Sequence, residues 1–119
     1  PLAIGGTTPA AGTFTTVTSA NKFAGPGVKA WGFVTVSGLT VTGTGIASVT
    51  NGSAGNFTVN LSPAMSGTDY TAVITPLHAS APRIARITTQ TSNQVNIVFE
   101  TVGAVAANPT HFSIVIASN

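Results

Sequence analysis

The sequence predicts an all-β protein, in which an extended N-terminal stem precedes an antiparallel β-sandwich of about seven strands. Short runs rich in Val, Ile, Thr and Phe recur along the chain, and Gly, Pro, Asn and Ser separate them. Several runs alternate apolar and polar residues, which places one face of a strand in a core. No stretch repeats apolar residues at the helical period, so we expect no amphipathic helix.

The first 27 residues are predicted to form the stem. Thr and Val favour extended backbone, and Pro9 with several glycines opposes a helix. The apolar residues here are too few and too widely spaced to build a core: Leu2, Ile4, Phe14 and Val17. Such a segment gains stability only by packing against something else, most simply copies of itself. Gly25-Pro26-Gly27 is a strong breaker and divides the stem, residues 1–27, from a tip domain, residues 28–119.

Seven β-rich runs with turn residues between them predict the strands of the sandwich. In chain order they are Val28–Val36, Ile46–Thr50, Phe57–Leu61, Tyr70–Thr75, Arg83–Thr89, Gln94–Thr101 and His111–Ala117. Alternation is clearest in the third, sixth and seventh runs. Their core-facing residues are predicted to be Phe57, Val59, Leu61, Val95, Ile97, Phe99, Phe112, Ile114 and Ile116.

The opposite face of these strands is less polar than a sandwich with solvated outer faces requires. The apolar residues assigned to that side are Val34, Val36, Val73, Val98, Val102 and Val115. This pattern predicts a subunit interface. A sheet buried on both faces within one chain would give the same pattern.

The composition limits the class of protein. A chain of 119 residues suits one domain. It is 43% apolar and 5% charged, which is the reverse of a disordered chain. It has no run of about 20 apolar residues, so we predict no membrane insertion. Few charges suit a protein that stays attached to a large assembly.

The basic balance does not predict nucleic-acid binding. The net charge is only +2, although the sequence pI is 9.7. Of Lys22, Lys29, Arg83 and Arg86, only the two arginines are close in sequence, whereas a phosphate footprint needs a clustered basic face. Cysteine is absent, so neither disulfides nor thiolate metal sites can form.

The few ionisable residues predict no enzyme, no metal and no cofactor. Asp69 and Glu100 are the only side-chain carboxylates, so a glycosidase would need this pair about 5 to 9 Å apart. His78 and His111 lack a neighbouring ligand at metal-binding spacing. The alternatives left open are a sugar-cleaving site and a metal held by one His from each of three chains.

Two parts of the chain resemble a known family. The run GGTTPAAGTFTT, residues 5–16, resembles the fibrous segments of bacteriophage tail fibres. In the globular part, Lys29-Ala30-Trp31 and the run GNFTVNLSPAM, residues 55–65, followed by Asp69-Tyr70, look like markers of C-terminal domains in phage tail proteins. The resemblance covers about two thirds of the chain and thins after Thr75.

The resemblance implies a homotrimer with intertwined stems, assembled in the host cytoplasm and carried on the virion as part of the tail fibre. The implied function is non-enzymatic receptor binding, with a bacterial surface glycan, a polysaccharide, as partner beside other virion tail proteins. One alternative is a structural virion protein, a fibre connector or capsid decoration, that binds only other virion proteins. A sugar-cleaving tip is the third hypothesis.

Strand directions predict where the receptor binds. If seven strands alternate along the fibre axis, the loops Ser37–Gly45, Pro63–Asp69 and Thr91–Asn93 lie away from the stem. The candidate receptor-binding residues in or beside them are Thr40, Thr42, Thr44, Asp69, Tyr70, Ser92 and Asn93. Tyr70 is expected to offer a stacking surface for a sugar. For Trp31 we expect an anchor in the core or an interface, with sugar stacking as the alternative.

Overall fold

The computed structural model describes residues 27–118 of the chain. The predicted stem therefore lies, except for Gly27, outside the described residues. Within residues 27–118 the protein is all-β and has no helix. The strands are β1 (Gly27–Thr35), β2 (Thr40–Thr44), β3 (Ile46–Ser53), β4 (Asn56–Leu61), β5 (Thr71–Leu77), β6 (Ile84–Gln90), β7 (Gln94–Glu100) and β8 (His111–Ser118).

These strands form two four-stranded antiparallel sheets. The first sheet has the order β2-β1-β8-β5, and the second has the order β3-β4-β7-β6. Neighbouring strands in each sheet run antiparallel. The chain crosses between the sheets four times, so each sheet combines strands that are distant in sequence. The predicted antiparallel β-sandwich is confirmed.

The core fills the space between the two sheets. Three aromatic rings from both sheets meet there, with the centroid of Phe112 5.3 Å from Phe57 and 5.0 Å from Phe99. All nine residues predicted to face the core are at most 5% exposed. The alternation of apolar residues in β4, β7 and β8 thus identified the inner face of both sheets correctly.

Backbone hydrogen bonds define two ends of the sandwich. At the near end, where β1 begins, Ser62 N donates to Gly45 O at 3.1 Å and Leu61 N to Asn93 O at 2.8 Å. This end therefore holds the β2–β3 corner, residues 62–70 and residues 91–93. The opposite, far end holds residues 36–39, 54–55, 78–83 and 101–110. There Thr110 N donates to the carbonyl of Leu77 at 3.0 Å.

An eighth strand changes the predicted direction of the loops. The segment assigned to a loop, Ser37–Gly45, contains β2, which pairs with β1 from Trp31↔Thr44 to Thr35↔Thr40. Its sequence, TVTGT, shows no apolar alternation because only Val41 turns toward the core. Because β2 reverses the chain direction once more, every later strand runs opposite to the predicted direction. Pro63–Asp69 and Thr91–Asn93 therefore lie at the end where β1 begins, and the prediction that they lie opposite it was wrong.

The inner and outer faces of β1 also differ from expectation. Val34 was assigned to the outer side but is fully buried, in step with Ala30. Val36, also assigned outward, packs partly against the core. Trp31 and Phe33 instead point outward and are 45% and 41% exposed. Space on the inner side of β1 is limited, because a Cβ added at Gly32 would come within 3.2 Å of Ile46 Cγ1 and 3.4 Å of Val41 Cγ1. For Trp31 the expectation of a core anchor was wrong.

Candidate functional site

The outer face of the second sheet is polar and hydrogen-bonded from strand to strand. One row joins β7, β4 and β3. Gln94 Nε2 donates to Asn60 Oδ1 at 2.9 Å, and Asn60 Nδ2 donates to Ser48 Oγ at 3.0 Å. The row forms because these residues stand opposite each other in the strand register. Each amide is held in one orientation by its neighbours.

A second row crosses the same face two residues further along, about 7 Å away. Thr58 Oγ1 donates to Asn96 Oδ1 at 2.7 Å, and Asn96 Nδ2 donates to Thr89 Oγ1 at 2.5 Å. Thr88 Oγ1 also donates to the backbone carbonyl of Asn96 at 3.2 Å. We call the outer face that carries both rows the polar face. It comprises Ser48, Thr50, Thr58, Asn60, Thr88, Thr89, Gln94 and Asn96.

A shallow cleft of about 260 Å³ lies on the polar face. It is lined by Gly52, Asn56, Phe57, Thr58, Thr88, Asn96 and Ile97. A bulge interrupts β3 between Asn51 and Ser53, and another interrupts β6 between Ile87 and Thr89. Bulges bend an edge strand and re-aim its side chains. Here both edge strands of the sheet bulge where they border the cleft.

The polar face carries little net charge. Toward the far end, Arg86 Nη2 and Glu100 Oε2 form an ion pair at 3.3 Å across β6 and β7. The two charges offset each other, and an exposed pair of this kind adds little to stability. Amides and hydroxyls therefore dominate what the polar face offers to a ligand.

The outer face of the first sheet has the opposite character. Six large apolar side chains are exposed there by 39% to 54%: Val28, Trp31, Phe33, Val73, Leu77 and Val115. We call this surface the apolar face. Trp31, Val115 and Val73 form one row across three strands by register. The Phe33 ring stacks on His111 with centroids 5.2 Å apart. Of the valines predicted to form an apolar outer surface, only Val73 and Val115 belong to this face. Val98 lies on the second sheet, and Val102 lies in a far-end loop.

The candidate receptor residues Asp69, Ser92 and Asn93 come together at the near end. Asp69 and Asn93 are exposed, and Ser92 is half-buried. Residues 62–70 join residues 91–93 through Met65 N, which donates to Ser92 O at 2.6 Å. These residues therefore lie in two polar segments that are hydrogen-bonded to each other at the near end.

Tyr70 belongs to the same end but does not offer its ring to a ligand. It is 8% exposed, and its hydroxyl donates to the carbonyl of Thr91 at 2.6 Å. Burial raises the pKa of Tyr70 above its ordinary value of 10.0. The open stacking surface expected for this residue is not formed, because the ring anchors residues 62–70 to the core.

Thr40, Thr42 and Thr44 lie on a different element, the edge strand β2, and only Thr44 is at the near end. Their side chains are exposed on the outer side of the first sheet. By register Thr42 stands beside Phe33, and Thr44 stands beside Trp31. The three threonines therefore form a hydroxyl rim of the apolar face. The seven candidate residues divide into two groups in different parts of the surface.

A groove of about 370 Å³ opens at the near end. It is lined by Lys29, Thr44, Gly45, Ser62, Pro63, Ala64, Met65, Ser66 and Ser118. Lys29 already has an interaction partner in the structure. The groove therefore lies between the start of β1, the end of β8 and the segment that follows β4.

Hydrogen bonds organise the loops of the far end. Asn108 Oδ1 accepts from Gly55 N at 2.7 Å, and its backbone carbonyl accepts from Arg83 Nε at 3.1 Å. Arg83 Nη2 lies 3.1 Å from His78 Nε2. Because a guanidinium can only donate, that nitrogen must accept, and Nδ1–H of His78 then donates to Thr110 Oγ1 at 3.1 Å. His78 and Arg83 thus serve as structural ties.

The two carboxylates stand at opposite ends of the sandwich. Asp69 lies in the near-end segment, next to the start of β7, while Glu100 ends β7. A seven-residue strand spans about 20 Å, which far exceeds the separation of a glycosidase pair. Within one chain these groups cannot work together on one glycosidic bond.

The remaining ligand chemistry within residues 27–118 is sparse. No group of three or more His, Cys, Asp and Glu side chains comes together there. His78 and His111 occupy different parts of the far end, one in a loop and one at the start of β8. The described segment also contains no helix of the length and apolarity that a membrane crossing requires.

Searches of protein-family models, curated proteins and solved structures find no match to this chain. Its function therefore has to be inferred from its own residues and geometry.

The polar face was missed as a candidate site at the level of sequence. Thr58, Asn60, Gln94 and Asn96 were recognised only as the outward residues of alternating strands. Their spacing, i and i+2 on two separate runs, places pairs of amides on one face. The signal was present, but which runs are neighbours depends on the sheet order.

Proposed function

We propose that this chain is a non-enzymatic receptor-binding module of a phage tail fibre that attaches to a bacterial surface polysaccharide. The polar face is the observation that carries the proposal. It presents fixed amides and hydroxyls around a shallow cleft of about 260 Å³. The resemblance of residues 5–16 to phage fibre segments supplies the biological setting.

The chemistry of the polar face suits an uncharged sugar. Sugar hydroxyls both donate and accept hydrogen bonds, as do side-chain amides and Ser or Thr hydroxyls. Asn60, Gln94 and Asn96 are already oriented by their neighbours, so binding costs little side-chain entropy. A shallow site gives weak binding, and several copies on one fibre strengthen attachment through effective concentration.

A second candidate function is a structural virion module, either a fibre connector or a capsid decoration. The apolar face favours it, because six large exposed apolar side chains on one sheet are typical of a protein–protein contact. In this case the polar face is only a solvated surface. The two functions differ in whether a glycan binds at all.

The test uses the full chain on immobilised bacterial polysaccharides, neutral and acidic, with unmodified agarose as background. We expect binding to neutral polysaccharides. Thr88→Ala and Asn96→Ala should each weaken it by at least about tenfold, since an unpaired sugar hydroxyl is costly. Thr75→Ala is the matched control, because Thr75 is likewise exposed on an edge strand but belongs to the first sheet.

The outcomes separate the candidates. Binding that is lost in Asn96→Ala and kept in Thr75→Ala supports the polysaccharide function and the polar face. If polysaccharide binding is lost only in Asp69→Ala or Asn93→Ala, the binding site lies at the near end instead of on the polar face. No binding to any polysaccharide, together with capture of the chain by purified virions that lack it, favours the structural function.

A further inference from the structure

The two outer faces of the sandwich meet different surroundings. The polar face satisfies its side chains by hydrogen bonds, as a solvated or sugar-binding surface does. The apolar face exposes Trp31, the only tryptophan of the chain, with Val73 and Val115 in the same row. Isolated exposed apolar residues are common, but six exposed apolar residues on one continuous sheet face indicate an interaction surface.

The size of the apolar face fits the centre of an interface. Its six side chains are between 39% and 54% exposed, which leaves on the order of 350 Å² of apolar surface open, given about 150–250 Å² for each aromatic side chain and about 100 Å² for each aliphatic one. A stable contact takes about 800 Å² from each partner. Exposed threonines border the patch: Thr40, Thr42, Thr44, Thr71 and Thr75. An apolar centre with a hydroxyl rim is the usual anatomy of such a contact.

The charge of this surface indicates which partner it fits. In β1, β2, β5 and β8 the only Lys, Arg, Asp or Glu is Lys29, which lines the near-end groove. A charged partner would find no opposite charges on this surface to pair with. An identical surface can pack against it without electrostatic repulsion, because neither surface carries a charge.

From these observations we infer that copies of this chain associate with one another through the apolar face of the first sheet. Apolar side chains of neighbouring copies then interleave across the contact. Trp31, Val73 and Val115 are then buried between copies, and the polar face of each copy stays open to solvent. This contact needs only residues 27–118 and is independent of the proposed glycan function.

The test places one charge on each outer face of the full chain. Val73→Lys puts an ammonium on the exposed edge strand β5 of the first sheet. Thr50→Lys is the matched control, since Thr50 is an exposed β-branched residue on β3, the edge strand of the second sheet. Burying an unpaired charge should weaken association at least about tenfold in Val73→Lys. Thr50→Lys should associate like the wild type.

Two readouts are combined. Sedimentation across a dilution series gives the mass. The emission of Trp31 reports burial of the contact, because no other tryptophan contributes. We expect the emission to shift to longer wavelength on dilution, with the same midpoint as the fall in mass. In Val73→Lys both midpoints should move to higher concentration, and Val73→Thr, which keeps the shape, should shift them in the same direction.

Several results would overturn the inference. One is a wild-type chain that stays monomeric at the highest concentration tested. A monomer whose Trp31 emission shows burial would mean that residues 1–26 of the same chain cover the apolar face, and this would also overturn it. Another is an equal shift in Val73→Lys and Thr50→Lys. Glycan binding is also measured per site for monomeric Val73→Lys. If the monomer still binds the glycan, the proposed function stands even when the inferred association fails.

Discussion

Tyr70 shows how a single buried polar group organises the near end. Its ring lies in the core, and its hydroxyl donates to Thr91 O at 2.6 Å. Gln90 Nε2 in turn donates to the carbonyl of Tyr70 at 2.8 Å. Tyr70 thus binds two groups at the end of β6, Gln90 Nε2 and Thr91 O, and ties the segment before β5 to them. Burial disfavours the phenolate, and this raises the pKa of Tyr70.

The raised pKa predicts a loss of stability in alkali. The unfolded chain loses the Tyr70 proton near pH 10, whereas the folded chain keeps it to higher pH. Stability from this group is therefore complete below about pH 10 and falls as the pH rises toward the folded pKa. Tyr70→Phe should cost about 1 kcal/mol at neutral pH through the lost hydrogen bond.

The measurement compares urea unfolding of both proteins from about pH 8 to about pH 11. The deficit of Tyr70→Phe relative to the wild type should shrink as the pH rises, because only the wild type can ionise at this position. Phenolate absorbance, which comes from one tyrosine, follows the titration directly. A constant deficit at all pH values would contradict the expected linkage.

At the scale of elements, the corner between β2 and β3 carries the chain from the first sheet to the second. One residue, Gly45, separates the two strands, and the chain changes sheets there. Its φ of 80° lies in the left-handed region. A Cβ at this position would come within 2.7 Å of the Ala30 Cβ and 2.9 Å of the Lys29 carbonyl oxygen. The strand can therefore leave the first sheet this sharply only without a side chain.

Gly45→Ala should lower the free energy of unfolding by at least about 2 kcal/mol, through backbone strain and a steric clash together. Gly67→Ala is the matched near-end control, since a Cβ added at Gly67 would meet no atom within 4 Å and this residue has no positive φ. It should change stability by no more than about 0.5 kcal/mol. Urea unfolding at one fixed protein concentration measures both, and equal midpoints would contradict the role assigned to Gly45.

At the scale of the whole molecule, the two outer faces of the sandwich differ in polarity, and the proposed self-association rests on this difference. Only 5% of the residues are charged, so little charge is available to keep separate copies apart in solution. In the proposed assembly the apolar face is buried between copies, and the polar face stays exposed to solvent. A fibre module with outward polar faces would combine both features, with several glycan sites held at fixed spacing.

We propose that the full chain is a homotrimer, so it should sediment at about three times its 11.8 kDa mass at micromolar concentration. Because the apolar face is uncharged, raising NaCl from about 0.1 to about 1 M should not dissociate it, although salt screens ionic contacts. A monomer under these conditions would refute the proposal, and a dimer would keep association through the apolar face while removing the three-fold arrangement.

The candidate site could be predicted only in part. Asp69 and Asn93 belong to two connections at the same end of the sandwich, and these connections are joined by the hydrogen bond from Met65 N to Ser92 O. Thr40 was placed with them through a loop that is in fact β2. The pairs that make up the polar face, such as Thr58 with Asn96, are 38 residues apart in the chain. Spacing within one run cannot reveal such a pair.

The pattern of apolar residues was enough to predict the fold class and the inner face of three strands. Alternation is a local property, and burying Phe57, Ile97 or Ile114 requires no knowledge of which strands are neighbours. The tertiary structure alone decided the sheet order, the end at which each loop lies and the outward position of Trp31. These depend on contacts between distant residues: the chain changes sheets at Gly45, and Ile46 and Val41 leave little space for a side chain at Gly32 on the inner side of β1.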